Sequence, residues 1–355
     1  MNTLARLIAS YNLILLETAA SHKNNFDFLR FLFASLVIFS HSYALLLGNI
    51  ALDPFVKRSD RALSEIAVCG FFVLSGFLIR QSQERSSSVF SFFRKRALRI
   101  VPGLWVAIVV TVFVIGCLTT EIPLAAYLSN SQTWKYLFSN SFLMPVAKEL
   151  PGVFNHNPET GVNGSLWTLR YEILFYALLS FLFFIPKKNS KAFTIAALII
   201  CIAGYMAIKM DLVPVKGNFL FYFFNLGIYF AGGACLSLFT DFIKQRKSLL
   251  LCISSIIFFA FTFIFKKEYE LINMFSFTLL VISFGLHYFK FLNFSQYTGD
   301  ISYGTYIYAY PIQQALIIWL HPANIWTLMI PSFLVAWLAG WLSWHFIEKR
   351  FLKRK

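Results

Sequence analysis

FDFLRFLFASLVIFSHSYALLLG, residues 26–48, is an apolar run long enough to cross a hydrocarbon core about 30 Å thick, yet it contains Arg30 and His41. A soluble helix of this length would carry a polar stripe along one whole side. Here the polar groups are few, and ionisable groups inside a membrane span mark functional sites by default. Eleven residues at about 100° each return to within about 20° of the starting direction, so Arg30 and His41 share a face, about 16 Å apart along the axis. Arg30 falls near the start of the span and His41 deep, past its middle. Ser35, Ser40 and Ser42 add polarity. Taken singly, Arg30 could snorkel to headgroups and His41 could bond a neighbouring helix. Sharing one face, they fit a single elongated anionic ligand.

Runs of this kind recur along the chain. Of 355 residues, 58% are hydrophobic and 13% charged, and Phe alone supplies 42. Soluble domains carry about 25% charged residues. The pattern predicts an all-α polytopic membrane bundle of about ten transmembrane helices, near 27–48, 64–82, 98–118, 165–186, 192–208, 219–240, 248–265, 271–289, 301–320 and 325–346. The apolar stretch 135–147 is too short to span and reads as interfacial or re-entrant. Residues 1–25 form a cytoplasmic N-terminal segment, 26–348 a single transmembrane domain and 349–355 a basic cytoplasmic tail.

The net charge of +15 could mean nucleic acid, but its placement argues for topology instead. With the N-terminus in the cytoplasm, the inner segments hold 20 Lys/Arg and the outer ones nine, the positive-inside pattern. Ten spans then put both termini in the cytoplasm, and no nucleic-acid partner is needed. The five cysteines all sit in apolar segments without the spacing of a zinc site or a disulfide framework, and no metal site is expected. Asn163–Gly164–Ser165 is formally a glycosylation sequon, discounted as short and common.

Two further groups stand out. FFRKRALRIVPGLWV holds Arg94, Lys95, Arg96 and Arg99. Arg96 and Arg99 are i, i+3 neighbours, and two guanidinium forks on one face suit a phosphate or pyrophosphate. The plainer alternative is a positive-inside flank. Glu172, inside the fourth span, requires a partner, either in a structural ion pair or from another helix such as that of His41.

Together these residues resemble the acyltransferase-3 family of bacterial integral-membrane O-acyltransferases, in a stand-alone form without the hydrolase-like domain some relatives carry. The resemblance runs from Asp27 to about Glu348. It rests on the Arg30-x10-His41 pair, on Arg96-x-x-Arg99 before Ile100 and Pro102, on FFVLSGFLI at 71–79 and on SLWTLRYE at 165–172. SYGTYIYAYP at 302–311 is similar to a Ser-Tyr…Pro segment of the family, although many relatives have histidine where this chain has Ala309. FIEKRF at 346–351 resembles a tail motif that often has Pro where Arg350 stands.

The resemblance implies a membrane O-acyltransferase of the bacterial inner membrane. The acyl group, in the first instance acetyl, would come from acetyl-CoA or another acyl-CoA on the cytoplasmic side, used as a substrate and not as a tightly bound cofactor. The acceptor would be a hydroxyl of a cell-envelope glycan or lipid-linked saccharide, with membrane lipids as surroundings. On this reading Arg96 and Arg99, with Arg94 nearby, hold the donor phosphates. Arg30 orients the donor or polarises its thioester. His41 is the general base or transiently takes the acyl group, and Glu172 orients His41 or binds the sugar. A transporter or flippase for a lipid-linked glycan is the rival from another class, since buried ionisable groups suit it equally.

The orientation is testable by cysteine labelling in intact cells, in a background without native cysteines. An impermeant maleimide should reach Asn155→Cys and miss Lys188→Cys. The reverse pattern would invert the topology.

Overall fold

The computed structural model describes residues 24–143, 146–214, 217–264 and 269–352. The expected N-terminal segment, except Asn24 and Asn25, and the last three residues of the tail lie outside them. The described chain is helical throughout, with an isolated bridge between Thr120 and Val153 and no strand among the described residues.

Helix α1 spans Phe26–Leu47 and stops at Gly48 in the left-handed conformation, φ 65°. Helix α2 (Leu63–Glu84) follows a short helix, Pro54–Ser59, capped by Asp53. Helix α3 (Val89–Val110) is capped by Ser88 and continues through a π-helical turn, Thr111–Gly116, to Thr119. Helix α4 (Ser131–Phe142) is short, and α5 covers Trp167–Ser180. Then come α6 (Ser190–Lys209), α7 (Phe219–Ser237), α8 (Thr240–Phe263) and α9 (Glu270–Leu286). Helix α10 (Ser302–Leu320) and α11 (Ile325–Ser343, extended to Leu352) complete the bundle. A capping box between Asn324 and Thr327 starts α11.

Helices thus lie at all ten predicted spans. Eight are long and apolar enough to cross a membrane, and a ninth qualifies if Glu270–Leu286 is joined to Lys290–Thr298 across a 94° bend. The shortfall from ten has a physical reason in α10. Its 19 residues include Gln313, Gln314 and four tyrosines, and most face other helices. A helix shielded by protein need not match lipid in polarity. Gln313 Nε2 donates to the Ile38 carbonyl (3.0 Å) and to Ser42 Oγ (2.9 Å) on α1. Gln314 Nε2 donates to the carbonyls of Glu159 and Gly161, tying down the loop before α5.

The stretch expected to be interfacial or re-entrant is α4, which runs back alongside α3. Trp134 meets Phe113 near the end of α3 (6.0 Å), and seven residues on, the Ser141 carbonyl accepts from Trp105 Nε1 (3.1 Å) in its middle. Trp134, Phe138 and Phe142 are exposed, an apolar face with lipid as its natural solvent. The sequon is closed to modification: Asn163 is buried, donates to the Ile307 carbonyl at 2.9 Å and accepts from Ser165 N–H. Of the cysteines, Cys69, Cys201 and Cys235 are buried, Cys117 is intermediate, Cys252 is exposed, and all are free.

Two ends of the bundle can be distinguished. At the near end α1 begins, α2 ends, and buried Arg80 of α2 pairs with Glu84 (2.8 Å) and donates to Ser190 at the start of α6 (2.6 Å). At the far end Arg61, before α2, pairs with Glu270 at the start of α9 (2.9 Å), and Lys209, closing α6, pairs with the same carboxylate (3.2 Å). The middle is held by backbone approach. A Cβ on Gly76 of α2 would lie 1.8 Å from the Phe230 carbonyl of α7, and one on Gly233 would lie 2.2 Å from the Val73 carbonyl. Small residues permit this contact, the usual basis of helix association in lipid.

Gly76→Ala and Gly233→Ala should therefore each destabilise by at least the roughly 1–3 kcal/mol typical of overpacking, read as a lower melting temperature in detergent. Gly161→Ala, whose Cβ would meet only Tyr310 Oη at 3.6 Å, should match the parent. Unchanged melting of the two helix variants would show that the α2–α7 seam is not tight.

Candidate active site

Three hollows follow one another along the bundle. The first, of about 780 Å³ at the near end, is bordered by Asp27, Arg96, Arg99, Asp300, Trp344 and Lys349 among others. The second, of about 140 Å³, is more enclosed and lined by Arg30, Ser75, Arg96, Arg99, Glu172, Tyr176, Tyr303, Tyr306 and apolar residues that include Val68 and Phe71. The third, of about 430 Å³, opens toward the far end and contains His41, Arg61, Glu65, Trp167, Asn225 and Glu270, again with Val68 and Tyr306 in its wall. Arg96 and Arg99 border both the first and second hollows, and Val68 and Tyr306 both the second and third.

The arginines are not equivalent. Arg99 pairs with Asp300 and with Glu348 (3.4 Å), and its guanidinium lies 5.7 Å from the Trp344 ring. Arg30 pairs with Asp27 one turn earlier (2.8 Å) and with Asp300 (3.3 Å). Burial alone would raise the Asp300 carboxyl, but the guanidinium groups of Arg99 and Arg30 hold it below the usual carboxylate range. Ser302 Oγ also donates to it. Arg96 lies between the first two hollows with its Nε buried and unpartnered. Arg94 is exposed and borders neither hollow.

The residues singled out in the sequence therefore divide. Arg30, Arg96, Arg99 and Glu172 share the second hollow. His41 stands in the third, its ring edge-on to Tyr310 (5.3 Å between centroids) and its Nδ1 without a hydrogen-bond partner. Arg30 and His41 do point toward one side of α1, but into successive hollows and not one. Glu172 is turned away from His41: it accepts from Ser75 Oγ (3.3 Å) and from the hydroxyl of Tyr176, one turn along its own helix. Ala309 of the Ser-Tyr…Pro segment is buried against Ile38 and Ala336.

The wall between the second and third hollows is one layer of side chains. Tyr306 is fixed there by its hydroxyl, which shares a hydrogen bond with Thr168 Oγ1 (2.9 Å) and donates to the Ser165 carbonyl (3.1 Å), while its ring packs on Phe71. Asp300, Glu348, Tyr176 and Tyr306 are the site residues that sequence reasoning passed over. Tyr176 at i+4 from Glu172 and Asp27 at i−3 from Arg30 were legible from helix spacing; the other contacts join distant parts of the chain.

A helical membrane bundle with half-buried arginines at one end, a histidine toward the other and shared wall residues between them suits a group-transfer enzyme better than a solute pathway. The acyltransferase-3 family model, described as an acyltransferase domain, matches residues 23–345, and the chain belongs to that family. It is 31% identical over 342 residues to an O-acetyl transferase of Shigella phage Sf6, covering 94% of this chain and 97% of the relative. It is also similar to Nodulation protein 10 of Rhizobium leguminosarum bv. viciae, with 32% identity over 233 residues and 60% of each chain. Over 125 residues, a third of each chain, it is 32% identical to the exopolysaccharide production protein ExoZ of Rhizobium meliloti (strain 1021). No solved structure matches. The chain is an O-acyltransferase.

The geometry separates two arginines that the sequence paired. Arg99→Ala leaves the buried Glu348 without its cation and Asp300 with Arg30 alone, a loss worth about 3–5 kcal/mol for a buried pair, so its melting temperature should fall well below that of Arg96→Ala. Adding Asp300→Asn should recover part of the loss, because the two changes share one interaction. Equal melting of the two single variants would make Arg99 as dispensable to the fold as Arg96.

Proposed function

We propose that this O-acyltransferase takes an acyl group, acetyl in the first instance, from a cytoplasmic acyl-CoA and places it on a hydroxyl of a cell-envelope saccharide at the opposite side of a bacterial inner membrane. The observation that carries the reading is the sequence of hollows: Arg96 and Arg99 join the first to the second, and Val68 with Tyr306 joins the second to the third. The orientation rests on the excess of Lys and Arg in the sequence segments assigned to the cytoplasm, 20 against nine, with ten crossings and both termini in the cytoplasm. The acceptor class is supported by the printed name of one relative, an exopolysaccharide production protein.

In this reading the near-end hollow receives the anionic part of the donor. Arg96, with its unpartnered Nε, is the cation available to a phosphate. Arg99, already held by two carboxylates, chiefly sets the shape of the passage. The thioester enters the second hollow, where Arg30 and Arg96 lie beside the place its carbonyl oxygen would occupy. They stabilise negative charge as it develops there. The acyl carbon meets the acceptor at the Val68–Tyr306 wall.

His41 removes the proton from the acceptor hydroxyl as its oxygen attacks the carbonyl carbon. A C–O bond forms and the C–S bond breaks. The thiolate leaves as coenzyme A and takes up one proton, so the products are an ester and a free thiol. Glu172, bonded to Ser75 and Tyr176, lines the donor side of the wall and there fixes α2 against α5.

His41→Ala and His41→Gln should each lower acetyl transfer by about 10²–10⁴-fold, the usual contribution of a general base, with protein yield and coenzyme A binding retained. Arg96→Ala should instead weaken coenzyme A binding by about 1.5–3 kcal/mol, with Lys restoring only part because it lacks the planar fork. Activity should also decline toward acid pH, as a protonated imidazole cannot accept a proton. Near-normal transfer by His41→Gln would remove the base from this mechanism, because glutamine can replace the histidine hydrogen bond but not its chemistry.

A further inference from the structure

Away from the three hollows, α5, α6 and α7 enclose a fourth of about 120 Å³. It lies between α5 and α6, with Gly227 and Ala231 of α7 in its lining. Leu178 of α5 and Phe193 of α6 also line it and are 44% and 54% exposed, so it opens toward the surface that a membrane bundle turns to lipid. Helix α6 is exposed over most of its length, with Thr194, Cys201 and Tyr205 its buried residues.

This lining offers a ligand almost no polar partner. Thr194 and Cys201 are its side chains with a heteroatom. Thr194 Oγ1 donates to the Ser190 carbonyl (2.9 Å) and accepts from Arg80 Nε (3.3 Å), and a thiol is a weak donor. A polar occupant would give up its hydrogen bonds to water without replacement, whereas an alkyl chain has none to lose. From Phe193 to Cys201 the groove follows α6 for about 12 Å at 1.5 Å per residue. That is most of the depth of one leaflet of a hydrocarbon core about 30 Å thick.

The near end of the groove is basic. Ile185 borders it just after the short turn that extends α5. Lys187 and Lys188 follow on the turn into α6, and Lys191 comes two residues before Phe193. All three are exposed, and their ammonium groups make no hydrogen bond or ion pair with another described residue. Glu84, which reaches this corner through Arg80 and Ser190, is already paired with Arg80 (2.8 Å). A positive-inside flank accounts for the charge of the turn but not for an apolar groove that begins beside it.

We propose that the groove holds one acyl chain of an anionic glycerophospholipid whose phosphate lies among Lys187, Lys188 and Lys191. The chain fills the gap between α5 and α6. The phosphate meets cations that have no other partner, and each basic residue near a membrane surface adds about fivefold to such an affinity. The lipid thereby braces α6, which is tied through Arg80 and Ser190 at its start and through Lys209 and Glu270 at its end. The site involves neither acyl donor nor acceptor and stands apart from the acyl-transfer reading.

The test is native mass spectrometry of the full chain, released from detergent containing equal amounts of phosphatidylglycerol and phosphatidylcholine with the same chains. One phosphatidylglycerol should stay bound, preferred by about tenfold or more. The combined change Lys187→Gln, Lys188→Gln and Lys191→Gln should bring the two lipids to similar retention. Ala197→Trp, which fills the groove from an exposed position, should lower retention of both. Glycerol phosphate, a head without chains, should not displace the lipid. Added phosphatidylglycerol should raise the melting temperature of the parent and of neither variant.

The four substituted residues are exposed and lie outside the three hollows, so both variants should melt like the parent when no lipid is added. If Ala197→Trp does not fold, the lysine variant, confined to an exposed turn, decides alone. Equal retention of both lipids by the parent, an undiminished preference in the lysine variant, or lipid still held by a folded Ala197→Trp chain would each overturn the site. Displacement by glycerol phosphate would overturn it too, leaving a charged surface without a groove.

Discussion

Three elements distant in sequence meet at the near end of the bundle around one guanidinium. Arg99 of α3 holds Asp300, just before α10, and Glu348, the last residue of the π-helical turn that extends α11; Asp300 in turn holds Arg30 of α1. Glu348 is fully buried, and Ser343 Oγ donates to it at 2.8 Å. Several charges this close, in a low-dielectric setting, are unfavourable unless each is paired and hydrogen-bonded. Once made, such a cluster admits little variation in how α1, α3, α10 and α11 are placed. Arg96, one turn from Arg99, then stands at the mouth of the second hollow because Arg99 cannot move. The unpaired cation is positioned by the paired one.

The same division of labour recurs at the far end. Glu270 engages Arg61 and Lys209 and so joins the segment before α2 to the end of α6 and the start of α9. The buried hydroxyl of Tyr229 on α7 accepts from Arg61 at 3.3 Å. This network borders the hollow that contains His41, whose Nδ1 stays unpartnered. At both ends, paired charges build the walls while one side-chain nitrogen, Arg96 Nε or His41 Nδ1, is buried without a hydrogen-bond partner. On the proposed reading, an acid-base group that spends its hydrogen-bonding capacity on the scaffold is less able to take a proton from a substrate, so the pairing of neighbours and the isolation of His41 serve one purpose.

The helices were legible in the sequence because lipid imposes a composition on whatever faces it. The apolar runs marked the ten long helices but not the short one at Pro54–Ser59, and the 135–147 stretch was recognisable as too short to span. Helix α10 shows the limit of that signal, since its Gln313 and Gln314 answer to neighbouring helices and not to lipid. The site was legible in part. Arg30, Arg96 and Arg99 stood out as cations in or beside apolar runs, and their convergence followed. Helix periodicity gave Arg30 and His41 a common face but could not show that Val68 and Tyr306 divide the space in front of it, because Tyr306 comes from a helix some 270 residues away in the chain. Asp300 and Glu348 were obscure for the same reason: one contact with Asp300 spans 270 positions and one with Glu348 spans 249. The expected contact of Glu172 with His41, one of two roles offered for it, is not made in the structure, for a local reason. Tyr176, four residues on, satisfies that carboxylate within its own helix.

The partition also accounts for why one chain can serve a donor and an acceptor on opposite sides of a membrane, on the proposed reading. Carrying a charged nucleotide through the bundle would require several anionic groups to leave water, each at a penalty of several kcal/mol. An acetyl group is small and uncharged and faces no such penalty. A fold that keeps the phosphates at a mouth of arginines, keeps the saccharide in a separate well and brings only the thioester to a wall one side chain thick moves the least polar part of either substrate. That arrangement asks little of the protein in the way of motion. Alternating access requires whole helices to rock around a fixed site, whereas here the two sites stay apart and a covalent bond crosses between them. Tyr306, pinned from α10 to the start of α5 by two hydrogen bonds, is suited to such a wall because a pinned ring holds its place while the groups on either side react.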